Sequence, residues 1–493
     1  MDRISTKGMA FTDQYGRTRI LRGLNYKHHV ITSQKPEEAA LPDLDETFFR
    51  DCREAGFNCL RLGVMWENLE PEKGQYNETY LAAIDRVFAL AEQYGVYVFL
   101  DMHQDLYSSF GVHNGDGAPP WATVTDGHKQ PEHAKLVWAE GYFWGKAVHA
   151  AFDHFWNNDP VLGKGLLDHF CELWQMLARR YANCPAFLGF DLLNEPFPGA
   201  DGGRIFRKLV GKLLGVIAVS PAIKRRDFFR ALKEKTPVVK AALDRLTPEA
   251  MAAITPAGLP LVRKFDLERY TPFVQKVTDA IRQVTDKGVI IMENSYYSNL
   301  GIPYSAEKPR REAETVFAPH AYDFMVDTPA YAWADNGRVG WIFEEHRRSQ
   351  ERLQVPVLVG EWGSGAPGTG WLPHIDFLLN RFADWQWSDV YFAYQKGMFA
   401  KESGNHRAPV MDVLKRPYPI AVAGSIGSYS YAMPEKRFRL NYAADGSILE
   451  PTVVYLPAAP QEILLSDGAS YTVEGQELRI NAPAGAVEVS LQF

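Results

Sequence analysis

Along the 493-residue chain, short apolar runs alternate with longer stretches in which apolar positions recur every three to four residues. The runs are Arg19–Tyr26, Cys59–Trp66, Val96–His103, Phe187–Asn194, Val289–Asn294, Val316–Tyr322, Val357–Glu361 and Val390–Tyr394. Apolar on both faces, they predict buried parallel strands. The stretches Tyr80–Tyr94, Leu166–Tyr181 and Pro272–Thr285 carry the period of amphipathic helices. Eight strand–helix alternations predict an α/β fold, a (β/α)8 TIM barrel over 1–416 with insertions. Beyond 416 the texture changes to short alternating segments, Arg437–Tyr442, Thr452–Tyr455, Glu462–Leu465, Ser470–Val473, Glu477–Ile480 and Val487–Phe493, set between Asp-Gly, Pro-Ala and Gly-rich turns. That pattern predicts an antiparallel β-sandwich over 417–493.

In such a barrel the carboxyl ends of the strands line the active site, and here nearly every end carries reactive side chains. Strand one closes in Asn25-Tyr-Lys27-His28, strand two holds Arg61, and strand three closes in Asp101-Met-His103-Gln-Asp105. Strand four closes in Asn194-Glu195, strand six in His320-Ala-Tyr322-Asp323, strand seven in Glu361-Trp362 and strand eight in Tyr394-Gln-Lys396. Two glutamates on facing walls of one pocket are what a two-carboxylate glycosidase needs, one as acid and base, the other as nucleophile. We expect Glu195 to be the acid/base, its pKa raised so that it holds a proton. Glu361 is the expected nucleophile, kept ionised by Arg61 and oriented by Tyr322. Asn194 is placed to donate to a sugar 2-hydroxyl, and His103 and His320 are expected to orient the pair. A competing reading takes Asp101, His103, Asp105, His320 and Asp323 as ligands of a hydrolytic metal. It leaves the two glutamates without a role, so no metal and no cofactor is expected.

Composition narrows the class without naming it. Hydrophobic residues make up 46% and charged residues 23%, as in ordinary globular proteins. A net charge of −7 argues against a nucleic-acid partner. Four cysteines, Cys52, Cys59, Cys171 and Cys184, sit inside helix- or strand-like runs and predict no disulfide framework. No charged-then-apolar leader opens the chain and no apolar stretch has spanning length, so a cytoplasmic location is expected, or a secreted one if a leader has been removed. Between strands four and five, residues 204–264 form an insertion whose first part, Arg204 to Lys240, holds eleven Lys or Arg against two acids. Basic and apolar clusters alternate there, so the segment either makes peripheral contact with an anionic membrane surface or packs on the barrel as a solvated flap.

Arg61, His103, Asn194-Glu195, His320, Tyr322 and Glu361, in that order on those strands, resemble the signature of glycoside hydrolase family 5 in clan A. The resemblance implies a retaining mechanism through a covalent glycosyl-enzyme intermediate. A narrower likeness rests on Asp101-Met-His-Gln-Asp-Leu-Tyr, Gly115-Asp-Gly-Ala-Pro-Pro-Trp-Ala-Thr, Asn25-Tyr-Lys27 and Arg416-Pro-Tyr-Pro-Ile-Ala-Val-Ala-Gly. These are similar to the endoglycoceramidase and glucosylceramidase branch, which cleaves between a sugar and ceramide or acts on related steryl glucosides. That branch implies Lys27 and Asp105 as sugar-binding residues, with Trp144 and nearby aromatics stacking on the sugar or shaping the aglycone side. The family usually places a tryptophan platform at the end of strand eight. This chain has Phe392 or Tyr394 there, with Trp362 and Trp371 as candidates to compensate. The expected substrate is a glycoside of glucose or galactose with a hydrophobic aglycone, foremost a glycosphingolipid. Aryl, flavonoid and steryl glucosides are the alternative, and a non-catalytic glycolipid-binding protein would require a broken carboxylate pair.

Overall fold

The protein was analysed as a computed structural model that describes residues 1–28, 41–110, 115–129, 138–218, 246–323, 325–326, 334–363, 365 and 368–493. Eight parallel strands form one sheet, in chain order Arg22–Lys27, Cys59–Val64, Tyr97–Met102, Phe187–Asp191, Val289–Glu293, Thr315–Ala318, Leu358–Val359 and Ser388–Tyr391. Strand eight pairs with strand one, and the isolated parallel bridges Phe317–Val357 and His320–Glu361 join strand six to strand seven. The sheet therefore closes as the TIM barrel expected, followed by antiparallel sheets. Strand one runs one residue past the end its pattern predicts, and the other seven end one to four residues early, where the polar residues at the rim leave the ladder.

Period-two alternation divides the barrel interior into layers. Leu21, Cys59, Tyr97, Phe99, Leu188, Val289, Ile291, Val316, Leu358 and Val390 form an apolar floor. Above it the same strands supply Asn25, Arg61, Asp101, Asp191 and Glu293, all buried. The floor is closed by a hairpin that the sequence pattern does not show: Ile4–Lys7 pairs with Ala10–Asp13, and Phe11 packs into the apolar layer. That hairpin continues through Thr18–Arg19 into Tyr418–Val422, so its seven-stranded antiparallel sheet draws on both ends of the chain. The expected division at 416/417 leaves these amino-terminal strands out of the sheet they complete.

The second sheet of the sandwich pairs Gly424–Ala432, Arg437–Ala444, Gly485–Gln492 and Glu462–Leu465. Val422, Phe438, Leu440, Val454, Leu478, Ile480, Val489 and Leu491 make its core. Tyr418 and Tyr455 donate their hydroxyls to the carbonyls of Gly56 and Glu54, at 2.7 and 2.8 Å, and so tie the sandwich to the barrel. Gly56 has φ +81°, and a Cβ there would lie 2.5 Å from the Tyr455 ring, so only glycine allows this approach.

The basic insertion begins as a helix, Ala200–Ala218. Ile205 and Leu209 are buried against the body while Arg204, Arg207, Lys208 and Lys212 are exposed. Helices Pro248–Ile254 and Leu259–Phe265 close the insertion, burying Met251, Ile254, Val262 and Phe265. The remaining basic residues, 219–245, lie outside the described residues. Among the described residues no helix is long and apolar enough to cross a membrane, and the four cysteines are free thiols. If the hairpin is the plug of the floor, Phe11→Ala should cost about 3–5 kcal/mol, the usual loss for a buried phenylalanine. Denaturant unfolding checks this, and a loss under about 1 kcal/mol would show that the floor does not depend on it.

Candidate active site

Arg61 sits at the centre of the polar layer, 1% exposed. Its Nε donates to Asp191 at 3.0 Å, and its Nη1 to Asn25 at 3.1 Å and Glu361 Oε1 at 2.7 Å. Its Nη2 donates to Asn194 Oδ1 at 2.9 Å and Glu293 Oε1 at 2.6 Å, and Asp101 lies 3.1 Å from the same nitrogen. From strand two, one guanidinium thus addresses residues from strands one, three, four, five and seven. Burial disfavours the charge, but the surrounding carboxylates, Asp101 and Glu293 foremost, hold Arg61 well above its ordinary value. Asp191 goes the other way. Burial first, then the Glu293 charge, push it well above the usual carboxylate range.

Glu361 Oε1 is held by Arg61, and Oε2 accepts the Tyr322 hydroxyl at 3.0 Å. Glu195 occupies the facing wall with its backbone at φ +42°, a conformation that non-glycine residues adopt only when surroundings impose it. The constraint is visible: its N–H donates to Glu293 Oε2 at 2.7 Å. One oxygen of Glu195 and one of Glu361 lie within 4.8 Å of each other and of a His320 ring nitrogen. Burial, followed by the charge of Glu361, pushes the Glu195 carboxyl up to about 7 although His320 opposes the rise. The expectation of a raised value invoked hydrogen bonding and neighbouring charges, whereas the largest cause here is burial.

His320 stands between the carboxylates. Nδ1 is 3.3 Å from Glu195 Oε1 and 3.9 Å from Glu361 Oε2, while Nε2 is 3.3 Å from Glu293 Oε1. Burial lowers its affinity for a proton, but Glu293 and Glu361 outweigh that and hold it well above the ordinary histidine value. Gly360 makes room for this ring, since a Cβ there would lie 2.6 Å from His320 Nε2.

His103 does not join the pair it was expected to orient. It bonds Asp101 at 2.7 Å through Nδ1 and lies 3.0 Å from Lys27 Nζ through Nε2. Burial and the Lys27 charge lower its pKa, but Asp101 and Asp105 reverse that and push it up to about 10. Lys27 Nζ donates to Asp105 at 2.5 Å and Asp116 at 3.3 Å. His103, Asp105 and Asp116 have the spacing of a metal site, yet a lysine ammonium already stands among them. Asp323, another candidate ligand, is instead held by Arg338 Nε at 2.7 Å and Nη2 at 3.2 Å. The metal reading therefore meets side chains already committed to other cations.

These groups open into a cavity of about 570 Å³. Lys27, His103, Asp105, Asn194, Glu195, Tyr322 and Glu361 make a polar end, while Trp138, Phe143, Phe206, Tyr296, Leu300 and Val326 make an apolar wall. Trp144 does not line it. The ring is half exposed and packs on Phe143 and Phe206, which take the inward places because helix Ala200–Ala218 approaches from that side. Tyr394 is likewise turned away, packed on Phe48, Tyr26 and Phe399, and Phe392 faces the cavity in its stead. Trp362 and Trp371 are both buried and do not line the cavity.

Among the residues of the site that escape the sequence reading are Glu293, Asn294 and Asn299. The first two carried a signal, since Met292-Glu-Asn closes an apolar run just as Leu193-Asn-Glu does. Asn299 carried none. It reaches Glu195 only because the chain turns through a short 3-10 helix, Tyr296–Leu300.

The model "Cellulase (glycosyl hydrolase family 5)" matches residues 22–228 and 263–396. The family 5 C-terminal domain matches residues 416–490. An endoglycoceramidase from Cyanea nozakii is 32% identical over 222 residues, and the match spans 40% of this chain and 42% of that protein. Endoglycoceramidase I from Rhodococcus hoagii is 24% identical over 98% of this chain and 85% of its own length. Endo-glycoceramidase II from Rhodococcus sp., solved with a five-membered iminocyclitol, covers 99% of both chains at 25% identity with a TM-score of 0.72. With both of its family models matched in order along barrel and sandwich, the chain belongs to glycoside hydrolase family 5.

Proposed function

We propose that the protein is a retaining β-glycosidase that cleaves the bond between a sugar and a hydrophobic aglycone, foremost a glycosphingolipid. The observation that carries this is the unequal pair: two carboxyl groups with oxygens within 4.8 Å, one raised to about 7, the other bound by Arg61 and Tyr322. Retaining enzymes hold the two groups about 5–5.5 Å apart, whereas inverting ones leave about 6.5–9.5 Å for a water.

Glu361 attacks the anomeric carbon while Glu195 gives its proton to the glycosidic oxygen, so the aglycone leaves as an alcohol. The sugar is then bonded to Glu361. Glu195, now a carboxylate, takes a proton from water as that water attacks the anomeric carbon, releasing Glu361 and regenerating the acid. Two inversions leave the anomer unchanged. Lys27 and Asp105 bind sugar hydroxyls at the polar end, and Asn194 faces the 2-hydroxyl. The leaving group emerges on the Glu195 side, against the aromatic and aliphatic wall of Phe143, Phe206, Tyr296 and Leu300. A sugar-only substrate would leave that wall against water, and an acyl or sphingoid chain covers it. The names of the relatives, endoglycoceramidases, support this substrate class.

The exposed basic face of helix Ala200–Ala218 lies on the same rim. Its apolar side is already used against the barrel, so contact with an anionic lipid surface would be electrostatic, and the sequence carries further basic residues within 219–245.

Four outcomes test these statements. Glu361→Gln should abolish hydrolysis of an aryl β-glycoside, and Glu195→Ala should recover turnover with azide; failure of both counts against the assignment. The acid must be protonated, so wild-type kcat/KM should fall as pH rises through about 7, a limb that the Glu195→Ala variant lacks. Mass analysis of products from glucosylceramide and lactosylceramide should show free ceramide from at least one, and intact ceramide glycosides in both would refute the aglycone claim. For the membrane contact, removal of 219–245 should slow hydrolysis of vesicle-borne glycolipid far more than of a soluble aryl glycoside. Equal loss on both would make the segment structural.

A further inference from the structure

The two carboxyl oxygens of Glu195 have unlike surroundings. Oε1 accepts from Asn299 Nδ2 at 2.6 Å and lies 3.3 Å from His320 Nδ1. Oε2 accepts from no described residue, and Glu195 lines the cavity.

The direction of the Asn299 amide is dictated from elsewhere. The backbone N–H of His320 can only donate, and it meets Asn294 Oδ1 at 2.8 Å. That fixes the Asn294 amide, whose Nδ2 donates to Asn299 Oδ1 at 2.5 Å and to the Ser295 carbonyl at 3.0 Å. With its own oxygen so engaged, Asn299 presents Nδ2 to Glu195. One unambiguous backbone donor thus sets the polarity of a chain through two amides to the carboxyl. The Glu195 main chain is also pinned, through its N–H to Glu293, so the side chain is held against this donor.

We propose that Asn299 is a positioning residue that confines the catalytic proton of Glu195 to Oε2, the oxygen that no described residue engages. An oxygen that accepts from an amide N–H has no direction left for a proton of its own toward that donor. Reversed, the Asn299 amide would offer its oxygen to Oε1 and draw the proton there, away from the glycosidic oxygen. The proposal rests on the glycosidase reading and deepens it. It also accounts for a donor on a group that must act as an acid: the amide favours the carboxylate slightly, and in exchange selects the oxygen that carries the proton.

The test compares phenyl and 2,4-dinitrophenyl β-glycosides of gluco and galacto configuration, since dinitrophenolate departs without protonation and phenolate does not. The variants are Asn299→Ala and Asn294→Asp. The second keeps the acceptor for the His320 N–H but removes the donor that orients Asn299, and so reaches the proton without altering Asn299 itself. In both, kcat/KM should fall at least ~10-fold more on the phenyl than on the dinitrophenyl substrate, part of the usual worth of general acid catalysis. The basic limb of the Asn299→Ala profile should move to higher pH, because a donor to the carboxylate is lost. An equal loss on both substrates, or a phenyl rate untouched in both variants, overturns the proposal. A wild-type enzyme that hydrolyses none of the four glycosides overturns instead the glycosidase reading beneath it.

Discussion

A guanidinium buried at the centre of a parallel barrel must be compensated, and most of the site follows from how this one is. Moving such a charge out of water costs several kcal/mol after relaxation, so Arg61 survives there only with its N–H groups matched. Strands one, three, four, five and seven each turn a carboxylate or amide oxygen toward it. Lysine could not do this, since one ammonium cannot reach across the barrel in a planar fork. The carboxylates outnumber the cation, however. Glu361 takes the guanidinium directly, Glu293 is shared with His320, and Asp191 is pushed toward its neutral form. Glu195 stands outside the guanidinium's reach, and burial first, then the charge of Glu361, raises its pKa to about 7. Two chemically identical side chains differ in that Arg61 binds Glu361 directly, while Glu195 is buried without a guanidinium partner.

The same layering explains why the cavity has two characters. The polar layer ends at Lys27, His103 and Asp105, where charges neutralise one another within a shell suited to hydroxyl groups. On the other side the wall is built by elements outside the barrel strands: helix Glu140–Trp144, the start of the insertion and the turn after strand five. The barrel thus carries the bond-breaking groups, and the additions decide what leaves. The insertion, expected from its charge either to touch a membrane or to pack on the barrel, spends apolar residues of its described first helix, Ile205 and Leu209, on packing, with Phe206 on the cavity wall.

Much of this was legible because strand ends in a parallel barrel are short, apolar and closed by polar residues, so Arg61, Glu195, Tyr322 and Glu361 announce themselves. Glu293 is written in the same code and was passed over, although it clamps Arg61, His320 and the Glu195 backbone at once. What could not be read depends on three-dimensional turns. Trp144 and Phe143 are adjacent in sequence, and only the approach of a distant helix decides which faces inward. Phe392 and Tyr394 both lie beyond Tyr391, the last residue of strand eight, so no strand alternation in the sequence tells which of them faces the cavity. The amino-terminal hairpin has too little alternation to be seen, and it becomes a plug only when it meets the sheet beginning at Tyr418.

The account stands or falls on Glu361 being the atom donor to a covalent sugar bond while Glu195 handles the proton. Incubation with 2-deoxy-2-fluoroglycosyl fluorides of gluco and galacto configuration, followed by peptide mass analysis, addresses that directly. The account predicts stoichiometric inactivation with one fluorosugar attached at Glu361. A label at Glu195, or turnover giving the inverted anomer with no labelled peptide, would contradict it.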